Sequence, residues 1–166
     1  MNISTLVENV SKELQRQGKM MVTAESCTGG LIAKVMTDRA GSSAVFERGF
    51  VTYSNDAKTE LLGVKKETLE TFGAVSLETA REMAEGALKN SHADIAVSVT
   101  GIAGPHGGTK DKPVGLVFIG VSFQGQTDAF ECHFKGSREE IREQTATSAL
   151  HVILSHITPA PASQTP

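Results

Sequence analysis

The chain has no tryptophan, one tyrosine and only two cysteines among its 166 residues. Two thiols, Cys27 and Cys132, cannot build a disulfide framework or a structural metal set, and a reduced, cytoplasmic setting fits them. No stretch reaches the ~18 consecutive apolar residues that span a bilayer. The opening "MNISTLVENVSKELQ" lacks the apolar centre of a signal peptide, so no membrane association is expected. A surplus of cations is missing too. Net charge is -3, with 16 basic against 19 acidic side chains. That balance argues against a nucleic-acid partner, whose affinity comes mainly from cations on phosphates. Small phosphorylated ligands stay open, because backbone N–H groups hold them without net positive charge.

Familiar catalytic signatures are absent as well. There is no G-x-S-x-G elbow, no S-x-x-K, no H-E-x-x-H and no complete P-loop, and Gly101, Gly104 and Gly107 do not spell G-x-G-x-x-G. The five histidines are scattered. His151 and His156 stand five apart and would not share a helix face, so neither a metal nor a cofactor is expected.

What is present is a regular alternation. Ile3, Leu6, Val7, Val10 and Leu14 recur at helical spacing and Gly18 stops them. "KMMVTAE" reads as a buried strand, Leu31, Ile32, Val35 and Met36 as one helix face, and "FERGFVTYS" as a second strand. Two short helices end at Gly63 and Gly73, and Ser76 caps a longer one with Leu77, Ala80, Met83, Ala84, Ala87 and Leu88 inward. "DIAVSVTG" carries few charges and reads as a central strand. A Gly/Pro-rich loop follows, then a hairpin around "QGQ", then a helix opened by the capping box Ser137–Glu140. Hydrophobic residues make up 39% of the chain, enough for one core. The pattern predicts a single-domain three-layer α/β/α sandwich with a mixed sheet over residues 1–157, and a disordered Pro-rich tail over 158–166.

Chemistry then has to sit at strand ends, where open α/β sheets gather ligands. "TAESCTGG" places three potential nucleophiles in a row, Ser26, Cys27 and Thr28, where a strand turns into a helix. Gly29 and Gly30 admit a ligand to the backbone, and helix N–H groups favour an oxyanion. The plainer reading makes Ser26 or Thr28 a helix cap. A base is available in "VTYSNDAK", through Tyr53 and Lys58. A solvated Lys58 would be inert, whereas a desolvated one would accept the serine proton. "TGIAGPHGG" offers N–H groups to a phosphate or oxyanion. Arg138 and Arg142, four apart, either clamp a phosphate or pair with Glu139 and Glu143 on a solvated face.

The segments "TAESCTGG", "AGSSAVFERGFVTYSNDAK", "GAVS", "SVTGIAGPHGGTKDKPVG" and "REQTAT" occur in this order over residues 5 to 155. Together they resemble the CinA C-terminal domain family; only His106 departs, where related chains often carry a small or acidic residue. The resemblance implies an amidohydrolase that converts nicotinamide mononucleotide to nicotinate mononucleotide and ammonia, in pyridine nucleotide recycling. It selects Ser26 as nucleophile, with Lys58 and Tyr53 as its partners, and makes Cys27 a buried neighbour. Thr28, Gly29 and Gly30 are then expected around the oxyanion, and Gly101, Ala103, Gly104 and Arg142 around the ribose phosphate. No cofactor or metal is implied, and a homo-oligomer is expected. The rival expectation is a nucleotide-binding or regulatory module of the same family without turnover.

Overall fold

Two runs without charge at their centres, Met21–Glu25 (β1) and Ile95–Gly101 (β3), are buried on both faces and form the middle of the molecule. The computed structural model describes residues 1–160. The sheet order is β2 (Phe46–Val51), β1, β3, β4 (Leu116–Phe123) and β5 (Gln126–His133). β1 runs parallel to both β2 and β3, while β3–β4 and β4–β5 are antiparallel, so the sheet is mixed. Gln124 and Gly125 turn the β4–β5 hairpin with φ of 52° and 77°, as a two-residue loop requires.

Alternation along each strand assigns the layers. Met21, Ile95, Val97, Val99, Val117, Ile119 and Val121 face the core made with α1 (Ile3–Gln17), α2 (Leu31–Thr37) and α6 (Arg138–Ile157). Val22, Ala24 and Ala96 face the other way, toward α3 (Asn55–Leu62), α4 (Lys66–Phe72) and α5 (Leu77–Lys89). The result is one α/β domain with a helical layer on each side of the sheet, as the pattern predicts. α5 lies close to the sheet because small residues let it. Ser98 Oγ donates to Ala80 O at 2.6 Å, and a Cβ on Gly120 would stand 2.4 Å from that same oxygen.

Element ends differ from the pattern for local reasons. β1 starts at Met21 rather than Lys19 because Gly18, with φ of 65°, and Lys19 close α1 by donating to its last carbonyls. β2 stops at Val51 because Ser54 caps α3, accepting from Ala57 N. The capping box at Ser137 and Glu140 is formed in full. Thr158 closes α6, and the rest of the expected tail, 161–166, lies outside the described residues.

One contact ties this packing to the site. A Cβ on Gly86 of α5 would lie 1.8 Å from the Leu62 carbonyl oxygen at the end of α3. Alanine there gains at most ~1 kcal/mol of helix propensity but must displace backbone. Gly86→Ala is therefore expected to lower stability by ~1–3 kcal/mol, the range for overpacking. Equilibrium urea unfolding checks this; a variant as stable as the parent would show that α3 yields freely.

Candidate active site

Because β1, β2 and β3 are parallel, and β1 pairs in step with both neighbours from Val22 to Glu25 after one irregularity in the β2 pairing at Met21/Val22, their carboxyl ends meet at one edge of the sheet. Ser26 N donates to Val99 O at 3.1 Å and Thr52 N to Glu25 O at 2.9 Å, which ties the three exits together. β2 and β3 flank β1 on opposite sides, so this is also the point where chain connections diverge, the usual ligand position in open α/β sheets.

α3 returns Lys58 to this point. Its side chain is 1% exposed, against the ordinary surface life of lysine. Nζ lies 2.9 Å from Ser26 Oγ, 3.0 Å from Thr52 O and 3.1 Å from Tyr53 O. Burial pulls the Lys58 ammonium down from 10.5 to about 8, with the nearby Cys27 thiol acting weakly in the opposite sense. Two carbonyls can only accept, so they take two N–H bonds. A neutral amine then has its lone pair left for the serine hydroxyl.

The other two side chains of the triplet are engaged differently. The Cys27 thiol is buried and is pushed up to about 11 by that burial, so it keeps its proton at neutral pH. Thr28 Oγ1 donates to Glu25 Oε1 at 2.6 Å. Glu25 is wholly buried at the end of β1, and its carboxylate also accepts from Ile32 N at 2.8 Å and Ala33 N at 3.1 Å. The side-chain cap of α2 is thus Glu25, not Ser26 or Thr28, and the residue at the N-cap, Gly30, makes no side-chain bond. Those first-turn N–H groups already hold an internal anion. Among the described residues, the N–H groups of Thr28 and Gly30 have no hydrogen-bond partner and that of Cys27 meets only its own sulfur, while Gly29 N donates to Ser26 O at 3.1 Å.

A cavity of about 200 Å³ opens beside this pair. Ser26, Cys27, Tyr53, Asn55, Lys58, Ala74, Val75, Thr100, Gly101, Ala103 and Arg138 line it. Of the residues singled out in the sequence, Ser26, Cys27, Lys58, Tyr53, Gly101, Ala103 and Arg138 come together here; Thr28, Gly29, Gly30, Gly104 and Arg142 stand outside the lining. Tyr53 is 62% exposed, with its hydroxyl 3.3 Å from Arg138 Nη2 at the rim. Gly104, φ 76°, packs on Val114 and accepts at its carbonyl from Arg138 Nη1 at 2.7 Å. Arg142 donates to Cys27 O (3.2 Å) and Thr28 O (2.8 Å). Neither arginine forms an ion pair with Glu139 or Glu143 among the described residues. Asn55, Thr100, Ala74 and Val75 carried no signal as lining residues. The last two sit in "GAVS", and Thr100 Oγ1 holds that segment by donating to Ala74 O at 2.8 Å. A larger cavity of about 440 Å³, between α3 and α5, is lined by neither Ser26 nor Lys58.

An α/β domain with a buried lysine bonded to a serine in a cleft at parallel strand ends is the class that these features define. Residues 3–157 match the CinA C-terminal domain, and the chain belongs to that family. The nicotinamide-nucleotide amidohydrolase PncC of Shigella flexneri is 52% identical over 149 residues, covering 89% of this chain and 90% of that protein. A CinA-like protein of Endomicrobium trichonymphae is 54% identical over 149 residues, covering 90% of this chain. The chain spans about a third of the length of that relative and of several others. The crystal structure of competence/damage inducible protein CihA from Agrobacterium tumefaciens superposes with a TM-score of 0.91 at 50% identity, covering 93% of this chain and 95% of that one.

The lowered lysine has a measurable consequence for folding. Between about 8 and 10.5 the unfolded chain still binds a proton at Lys58 that the folded chain has lost, so this group makes stability rise with pH across that window. Below it, the buried ammonium costs about 3 kcal/mol at ~1.36 kcal/mol per pH unit. The stability difference between Lys58→Met and wild type should therefore move by about that amount in favour of wild type through this window. Cys27 titrates in both proteins, so all but its weaker coulombic coupling to Lys58 drops out of the difference. Thermal or urea unfolding from pH 7 to 11 reads it, and a pH-independent difference would refute the assignment.

Proposed function

We propose that this chain hydrolyses the carboxamide of nicotinamide mononucleotide to give nicotinate mononucleotide and ammonia, in pyridine nucleotide recycling. The observation that carries the reading is the 2.9 Å contact between Ser26 Oγ and a desolvated Lys58 Nζ. The name of the Shigella relative supplies the substrate class. Lys58, in its neutral form, takes the Ser26 proton as Oγ attacks the carboxamide carbon. The oxyanion is held by the unpaired N–H groups that follow Ser26. Lys58 then passes the proton to the departing nitrogen, ammonia leaves, and an acyl ester on Ser26 remains. Water attacks that ester with Lys58 again as base, which restores the hydroxyl. With Lys58 pulled down to about 8, roughly a tenth of it is the free amine at pH 7, against less than one part in a thousand for an ordinary lysine.

The cavity size divides the substrate. At about 200 Å³ it is smaller than the ~300 Å³ at which pockets begin to enclose whole ligands. It suits the pyridine carboxamide, with Gly101 and Ala103 as floor and the Tyr53 ring as rim. The ribose phosphate then reaches the mouth, where the Arg138 guanidinium stands. We place the enzyme in the cytoplasm, consistent with its two free cysteines, as a homo-oligomer acting on a small molecule.

Ammonia release from nicotinamide mononucleotide, measured beside binding of the same ligand, tests the reading. Binding without ammonia would favour the non-catalytic module. Ser26→Ala is expected to lower kcat by on the order of 10⁴- to 10⁶-fold, as loss of a nucleophile does. Lys58→Arg should be as inactive as Lys58→Met, because guanidinium keeps its proton. The wild-type kcat/KM should rise with pH through an apparent pKa near 8; retained turnover in Lys58→Arg would send the search for a base elsewhere. Arg138→Ala should raise KM for the nucleotide by roughly 10- to 150-fold, the worth of a charge-assisted contact. It should leave the riboside almost unaffected, and equal kcat/KM for nucleotide and riboside in the wild type would remove the phosphate contact.

A further inference from the structure

We infer that Arg142 is a positioning residue for the Ser26–Gly30 turn rather than a ligand for the substrate. The inference rests on Ser26 as nucleophile. The turn leaves β1, carries Ser26, and must present the N–H groups that follow it without help from regular secondary structure. Two buried or half-buried ionic side chains hold it. Glu25 accepts from Thr28 Oγ1 and from the first N–H groups of α2. Arg142, reaching from α6, donates Nε to Cys27 O at 3.2 Å and Nη2 to Thr28 O at 2.8 Å. Thr28 O also accepts from Leu31 N, but Cys27 O has no other partner among the described residues.

Peptide planarity turns these two bonds into an orientation. In a trans peptide the N–H points opposite to the carbonyl before it. With Cys27 O drawn to the guanidinium, Thr28 N–H points away from it and is left without a partner. With Thr28 O drawn to the same group, Gly29 N–H points away and closes the turn on Ser26 O at 3.1 Å. A single planar, two-pronged donor therefore fixes two consecutive peptides, one offering the free N–H and the other bracing the nucleophile's own carbonyl. A lysine, with one point of attachment, cannot set both planes. Gly29, φ 60°, lies against the guanidinium, its Cβ position 3.6 Å from Nη2.

The experiment compares wild type, Arg142→Ala and Arg142→Lys by steady-state kinetics on nicotinamide mononucleotide and by labelling of Ser26 with an alkyl fluorophosphonate. In the labelling step Ser26 Oγ bonds phosphorus, fluoride leaves, and the serine proton passes to Lys58. The probe lacks ribose and a substrate phosphate but needs the same oxyanion donors. A positioning role predicts a kcat loss of about 10²- to 10³-fold in Arg142→Ala, the cost of a misplaced oxyanion donor. KM should change little, labelling should slow by a comparable factor, and the apparent pKa of labelling should stay with the wild type. Arg142→Lys, which keeps the charge and one contact, should recover only part of the loss. A rise in KM with kcat and labelling unchanged would overturn the proposal and make Arg142 a phosphate ligand. Full recovery in Arg142→Lys would overturn it too, since only charge would then matter. If the wild type releases no ammonia, the substrate reading fails while the labelling comparison still decides: slower labelling upholds the proposal, equal labelling sinks it. A wild-type Ser26 that takes no label would end both the nucleophile reading and this one.

Discussion

The structure depends on one unfavourable placement, the Nζ of Lys58 taken out of water. A desolvated ammonium is costly unless its hydrogen bonds are replaced. Here the replacements are two backbone carbonyls, Thr52 O and Tyr53 O, and one hydroxyl, Ser26 Oγ. No carboxylate is among them, and this matters. A paired carboxylate would hold the lysine charged, whereas dipoles satisfy its N–H groups without stabilising the full charge to the same degree. Burial with dipolar partners is therefore what brings a lysine to the edge of neutrality, and the rest of the fold serves to hold those partners still.

That service is visible in how the surrounding elements pack. The carbonyls come from the exit of β2, itself bonded through Thr52 N to the end of β1. The lysine comes from α3, whose C-terminal carbonyl rests against Gly86 of α5 with no room for a side chain. α5 in turn sits close to the sheet because Ser98 and Gly120 face it. A displacement of α5 would pass through α3 to Nζ by direct contact at each step. The Ser26 side is fixed separately, by Glu25 and Arg142 on the turn after β1, so Lys58 and Ser26 are held by different parts of the molecule and meet at 2.9 Å.

The layers and the central place of β3 were legible because each rests on local pattern: alternation, uncharged strands, glycine stops and the Ser137–Glu140 box. The site was legible only in part. Ser26, Cys27 and Thr28 are equivalent to a reader of spacing, and nothing local distinguishes them; the motif resemblance selected Ser26, and the contact with Nζ is a tertiary fact. Lys58 sits in an eight-residue helix of weak amphipathic character, where a lysine ordinarily points outward. The role of Glu25 was hidden because caps are sought beside a helix start, and this carboxylate reaches Ile32 and Ala33 from the preceding strand, across seven and eight residues. Arg138 and Arg142 look alike at four-residue spacing. One turn of α6 separates a side chain at the cavity rim from one half-buried against the Ser26–Gly30 turn, and sequence spacing carries no information on which neighbour each meets.

The adjacent thiol raises the question of why cysteine, intrinsically the better nucleophile, would stand aside. The order of the two proton affinities answers it. Burial lowers the lysine to about 8 and raises the Cys27 thiol to about 11, so the lysine gives up its proton long before the thiol does. A thiolate–ammonium pair would require the reverse order, with the sulfur near or below the nitrogen, as happens where a thiol lies beside a fixed cation. In this pocket a thiol-to-amine transfer would run uphill by about three pH units between those two values, or about 4 kcal/mol. Proton affinity alone would not favour serine, whose hydroxyl is a far weaker acid than a thiol. What favours it is place, because Ser26 Oγ is the atom bonded to Nζ and its proton can move as the new bond forms rather than before it. The same desolvation that lowers the lysine thus keeps the neighbouring sulfur protonated, and in the proposed mechanism one physical cause both readies the base and leaves the hydroxyl as the atom it acts on.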